Sequence, residues 1–168
     1  LEETQGTAAV RLLALLDAAA LSDPAAPFFL NGVAGLGSPF WQPDFASRFV
    51  GEGSELQQCR AVLESVAFLV KVNLDAMDRE LGRPRRLVAS GGLAGNALLC
   101  RMLASLAGAP VERASDLEAT ARGLARLVAG EPAGFAAAPA QRLEPEPEQT
   151  LLARYLKWLE LMRAATGA

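Results

Sequence analysis

Apolar residues recur at helical spacing along several stretches of this chain, with short unbroken apolar runs between them. Val10, Leu13, Leu16 and Ala20 lie three or four residues apart and predict a helix over 7–19 that ends at Ser22-Asp23-Pro24. Phe28-Phe29-Leu30 reads as a short buried strand. Asn31 to Gly53 holds five glycines and two prolines among several aromatics, the composition of a structured loop. Ser54 is placed to cap the longest helix, Glu55 to Leu81, whose stripe of Leu56, Cys59, Leu63, Val66, Val70, Leu74 and Met77 should face a sheet. Arg60 and Glu64 then fall four apart on the other face, as an exposed ion pair. Leu87 to Ser90 is a second strand, 94–107 a helix, and Pro110 to Arg113 a third strand, expected at a sheet edge because Pro110 has no N–H to donate. Ser115 and Glu118 have the spacing of a capping box for a helix ending near Gly130. The four prolines between Glu131 and Gln149 predict a mobile connector. In the last segment, 150–168, Leu151, Leu152, Tyr155, Trp158, Leu159 and Met162 form one apolar face, expected to dock a final helix on the domain. Strands separated by long helices imply an α/β, helix-rich fold with a small, mostly parallel sheet.

A chain of 168 residues can form one domain that buries a substantial core, roughly 70% of the surface its unfolded form exposes. Its 16 Lys+Arg against 19 Asp+Glu leave a net charge of −3, without the basic cluster that nucleic acid requires. Arg83, Arg85 and Arg86 come nearest, in a helix-to-strand loop. The absence of histidine excludes a histidine base or metal ligand within this chain. Cys59 and Cys100 occupy apolar helical positions, as free thiols of a reducing cytoplasm would. The longest apolar segments are broken by Arg11, Asp17, Lys71 or Asp75, so neither a signal peptide nor a membrane span is expected.

Candidate chemistry concentrates at Leu87 to Asn96, LVASGGLAGN, where an apolar run meets two glycines and then a helical pattern. Glycine at a strand end lets the backbone take positive φ and leaves no Cβ in the way of a base or phosphate. Gly91, Gly92 and Asn96 are therefore the candidate nucleotide residues, with Asn96 in the first turn of the following helix, able to donate and accept. Ordinary turn chemistry accounts for the same glycines without a ligand.

The segment SGGLAGNALLCRMLASLAGAPVER resembles the adenosine-side segment of the FGGY carbohydrate kinases, whose pattern runs GG-x-x-x-N, helix, short strand. Gly35-Leu36-Gly37-Ser38-Pro39-Phe40-Trp41 is similar to the family's G-L-x-x-P-[FY]-W loop, most like its glycerol kinase branch. Residues 60–68, RAVLESVAF, resemble its R-A-x-L-E-[GS]-[IV]-A-[FY] helix, and 118–123, EATARG, its E-x-T-A-x-G segment. The four motifs stand in the family's order between Val10 and Gly130.

The resemblance implies the C-terminal part of a ribonuclease H-like, actin-like ATPase domain over 1–130, followed by the connector 131–149 and the docking helix 150–168. It implies transfer of the γ-phosphoryl of ATP, with Mg²⁺, to a hydroxyl of a sugar or polyol bound mainly by an upstream domain. Gly92 would let the main chain pack against the nucleotide, Asn96 would contact the adenosine end, and Gly91 would form the strand-end turn. Where the family borders the adenine with a Gln, this chain has Arg11, which puts that contact in doubt. The family's catalytic aspartate motif, G-x-x-D, and its threonine-containing phosphate loop do not occur, so Asp44, Asp75, Asp78 and Asp116 are assigned no catalysis. With Leu1 in place of Met and a helical pattern from the start, the chain reads as a fragment, inactive alone. Its strand 28–30 or 87–90, without upstream partners, is expected to offer an edge for self-association. The alternatives are a nucleotide-binding pseudoenzyme and a structural helical module.

Overall fold

The computed structural model describes residues 11, 14–16, 20–114, 118–129 and 140–167. Most of the helix expected over 7–19, the Ser115 cap, Gly130 and residues 131–139 of the connector lie outside these residues. Strands β1 (Phe28–Leu30) and β2 (Arg48–Val50) pair antiparallel. Helix α1 (Glu55–Leu81) follows, then β3 (Leu87–Ala89), a 3₁₀ turn (Gly92–Gly95) and α2 (Ala97–Ala107). The chain continues through β4 (Val111–Ala114), α3 (Ala119–Ala129), β5 (Ala140–Leu143) and α4 (Gln149–Thr166).

The strands form two sheets instead of the one expected, and the larger is mixed. β3 pairs parallel with β4, and β4 pairs antiparallel with β5, in the order β3-β4-β5. The strand beginning at Pro110 is thus central, where an edge was expected. Pro110 lies just before the ladder and contributes only its carbonyl, which accepts from the Leu87 N–H at 2.9 Å, so its missing donor costs the sheet nothing. β5 arises within the segment read as a connector: its four residues satisfy the second edge of β4, a long-range pairing that leaves no local periodicity. β2 likewise lies within the stretch read as loop. The turn joining it to β1 is tight at Gly35, which has φ 83° and where a Cβ would stand 2.5 Å from the Pro43 carbonyl oxygen.

Local signals do fix the helix ends. The Ser54 hydroxyl accepts from the Gln57 N–H while the Gln57 side chain accepts from the Ser54 N–H, a reciprocal capping box. Gly108, left-handed at φ 63°, ends α2. Above these ends, α2 is packed on two sides. Leu98, Leu99, Met102 and Leu106 join Leu63, Phe68, Leu151, Trp158 and Met162 in a helical core that also takes in Leu30. Cys100 and Ala104 instead meet Val111, Leu87, Ala89 and Leu143 of the sheet.

The buried face of α1 is rotated from the stripe expected. Arg60, Ala61, Leu63, Glu64, Ser65, Ala67 and Phe68 are buried, whereas Leu56, Val70 and Met77 remain largely exposed. The pair expected on the surface is therefore interior, because α4 crosses that face and supplies a third charge. Arg154 donates from Nη2 and Nε to Glu64 Oε2 at 2.7 and 3.0 Å. It also donates to the carbonyls of Ala26 and Pro27, and its guanidinium lies 4.5 Å from the Phe28 ring centre. Arg60 donates to the Ala20 carbonyl. Burial raises the Glu64 pKa above the ordinary carboxylate value, against the opposing bonds and charge of Arg154.

Replacing Arg154 with Met strips the buried Glu64 of its bonded partner. Denaturant unfolding should show a loss of about 3–5 kcal/mol. Lys157→Ala, which breaks only an exposed pair with Glu160, should stay within about 0.5 kcal/mol.

Candidate nucleotide site

The three candidate residues come together where β3 passes into α2. Gly91 takes φ 85°, a conformation that side chains resist, and turns the chain out of the strand. Gly92 opens the 3₁₀ turn, exposed, and a Cβ built on it would meet nothing within 4 Å. Leu93 stands 60% exposed beside it, an apolar surface on which a flat ring can lie. The Ala94 N–H donates to the Gly91 carbonyl at 3.0 Å and the Asn96 N–H to the Leu93 carbonyl at 3.1 Å, which closes the turn on itself.

Asn96 precedes its helix instead of lying within it, because α2 begins at Ala97 and not at 94. It is the N-cap of α2, not a first-turn residue, and its Oδ1 accepts from the Leu99 N–H at 2.8 Å. The cap fixes the direction of the amide, and its Nδ2 is the part that can address a ligand. Sequence reasoning missed Arg113 altogether. It stands in register with Ala89 and Gln141 across the sheet, and donates from Nη1 to the Gly95 carbonyl at 3.2 Å and from Nε to Gln141 Oε1 at 2.8 Å. The only trace of it in the sequence is an arginine at the end of a short strand.

The aspartates left without a catalytic role have structural partners or lie elsewhere. Asp75 pairs with Lys71 and accepts from the Tyr155 hydroxyl at 2.6 Å, and Asp78 pairs with Arg83 at 3.5 Å. Burial first, then the bond to Asp75, hold the Tyr155 phenol protonated far above its ordinary range. Asp44 lines a cleft beside the exposed Trp41, and Asp116 lies outside the described residues. Arg11 is exposed. Among the described residues, no three His, Cys, Asp or Glu side chains converge as metal ligands. No described helix is long and apolar enough to cross a membrane. Two clefts of about 410 and 420 Å³ lie away from the glycine turn, one between α1, α2 and α4 and one along residues 41–48.

Solved sugar-kinase structures share this fold. A xylulose kinase from Rhodospirillum rubrum superposes with a TM-score of 0.70 at 19% identity, over 92% of this chain and 33% of the other. Plasmodium falciparum glycerol kinase with ADP gives 0.71 at 14% identity, over 93% and 33%. The chain belongs to the FGGY family of carbohydrate kinases, whose C-terminal domain model matches residues 1–130. Among curated relatives, glycerol kinase from Gloeobacter violaceus is 35% identical over 155 residues, which cover 84% of this chain and 31% of the relative. Glycerol kinase from Trichodesmium erythraeum is 39% identical over 102 residues, 58% and 20% of the two chains. The chain spans a third or less of these proteins.

The two glycines should separate in a stability assay. Gly92→Ala meets no neighbour and should leave Tm nearly unchanged. Gly91→Ala forces a Cβ into positive φ and should lower stability by about 1 kcal/mol. A thermal melt of the two variants checks it.

Proposed function

We propose that this chain is the nucleotide-side part of an ATP-dependent carbohydrate kinase, which transfers the γ-phosphoryl of ATP to a hydroxyl of a sugar or polyol in the cytoplasm. The observation that carries this reading is the Gly91–Asn96 turn. A strand end, an unobstructed glycine, an exposed leucine and a capping asparagine stand together inside the segment that matches the family's C-terminal domain.

The residues present fit an adenosine. Gly92 leaves room for close approach of a ring to the main chain, Leu93 offers it an apolar face, and the Asn96 amide, oriented by its cap, can donate to a polar edge or hydroxyl. Bound ATP, with Mg²⁺, supplies the phosphoryl group and neutralises the charge that spreads over it during transfer. What these residues do is bind and orient the nucleotide. The hydroxyl-activating carboxylate and the sugar pocket are assigned to the remainder of the enzyme, since the described aspartates of α1 are engaged in local pairs.

Gly92→Asp tests the reading, because a Cβ at Gly92 meets no protein atom and the added carboxylate brings a negative charge to the face a nucleotide would approach. In the complete protein, steady-state kinetics should show the KM for ATP raised about tenfold or more, with the KM for the sugar nearly unchanged. A shift in the sugar KM alone would sink it. Residues 1–168 by themselves, given Mg-ATP and glycerol or a panel of pentuloses, should form no phosphorylated product above a no-protein control. Sugar-dependent ADP release would reveal a base within this chain.

A further inference from the structure

Arg113 lies on the strand next to the glycine turn and is bonded to it. β4 places Arg113 opposite Ala89 on one side and Gln141 on the other, so the three residues share one face of the sheet. Val111 of that same face, two residues earlier, packs with Leu87, Leu143 and the side of α2 that bears Cys100 and Ala104. From this position the guanidinium reaches the carbonyl of Gly95, the residue before the α2 cap, at 3.2 Å, while its Nε is held by Gln141 at 2.8 Å. We propose that Arg113, braced by Gln141 of β5, is a positioning residue for nucleotide binding: it pins the Gly92–Gly95 turn so that Gly92 and the Asn96 amide keep the orientation the nucleotide meets.

The geometry favours this role over a merely stabilising one. The internal bonds of the turn run between Gly91 and Ala94 and between Leu93 and Asn96, and neither ties the Gly95 carbonyl to the sheet. A carbonyl next to a cap swings with the peptide plane that carries the Asn96 N–H, so holding it fixes the backbone from which the Asn96 side chain departs. A planar fork with two rigidly directed donors can hold a carbonyl and an amide oxygen in set directions at once, a constraint that the rotatable ammonium of a lysine does not impose. The inference also gives β5 a function. The segment after α3 returns to the sheet with Gln141 in register with the arginine, and the nucleotide turn is thereby tied to both β4 and β5.

The inference rests on the nucleotide reading of this turn, and its test separates the two. In the complete protein, Arg113→Ala should speed amide exchange in the peptide spanning 91–97 about tenfold, with exchange in the middle of α1 unaltered. The same variant should weaken ATP binding, measured by calorimetry, about fivefold, the effect of one hydrogen bond. The KM for ATP should rise in step, with kcat and the sugar KM held. Arg113→Lys, which keeps the charge and N–H donors but loses the planar fork, should recover part of the affinity. Gln141→Ala, at an exposed edge position less prone to disturb folding, should reproduce the loss more weakly. Unchanged exchange over 91–97 in Arg113→Ala would overturn the positioning role, as would unchanged ATP affinity in a protein where Gly92→Asp weakens it. Unchanged ATP affinity in Gly92→Asp would instead overturn the nucleotide reading beneath it, and the positioning role with it.

Discussion

Arg154 is the residue on which three segments distant in sequence converge. Its guanidinium joins Glu64 of α1, the carbonyls of Ala26 and Pro27 ahead of β1, and the Phe28 ring, with Arg154 5% and Glu64 1% exposed. Two charges taken this far from water each cost several kcal/mol, and their attraction offsets the cost only when geometry is good and further bonds are made. An arrangement of α4 that covered Glu64 without bringing Arg154 to it would leave a buried charge without its partner. The constraint therefore selects one packing of α4, and with it the seats of Tyr155 against Phe68 and of Trp158, whose Nε1 donates to the Phe29 carbonyl. Arg60 Nη1 and Glu64 Oε1, 4.0 Å apart, are buried without a hydrogen bond among the described residues.

With α4 in place, α2 is gripped from two sides, by the helical core and by the sheet, and the grip reaches the candidate site. The turn at Gly91–Asn96 is the N-terminal approach to α2, so its position is inherited from a helix that cannot shift without disturbing both clusters. Rigid support of this kind is what a binding turn needs, since a ligand gains little from contacts it must first order. The outer parts of the molecule are less covered. Among the described residues β3 is paired on one side only, Val88 is 69% exposed, and no residue of α3 is buried although Leu124, Leu127 and Val128 share the helix. These surfaces belong to a chain that spans a third or less of its relatives.

Signals confined to a few neighbouring residues were legible in the sequence. The Ser54 cap, the extent of α1, the strand at 28–30 and the glycine turn with Asn96 near the start of α2 each depend on local backbone preferences, such as hydroxyl capping, β-branched and aromatic runs, or tolerance of positive φ. So did the family, since four motifs in order constrain identity more tightly than any one of them constrains structure. The start of α2 was read three residues early, at 94, because the 3₁₀ turn of 92–95 runs into the helix without a break in the apolar pattern.

What the sequence by itself determined was the long helix with both its ends, the presence of the strands near 28–30, 87–89 and 111–114, the last helix, and the kinship of the chain. The tertiary structure alone decided which face of α1 is interior, that β4 is central, that 140–143 closes the sheet, and that Arg113 holds the turn. The physical reason is common to all four. Each depends on a partner distant in sequence: Arg154 lies ninety residues beyond Glu64, and Gln141 twenty-eight beyond Arg113. An ion pair at helical spacing looks the same whether water or another helix faces it. Only the arrival of that helix turns an exposed pair into a buried junction.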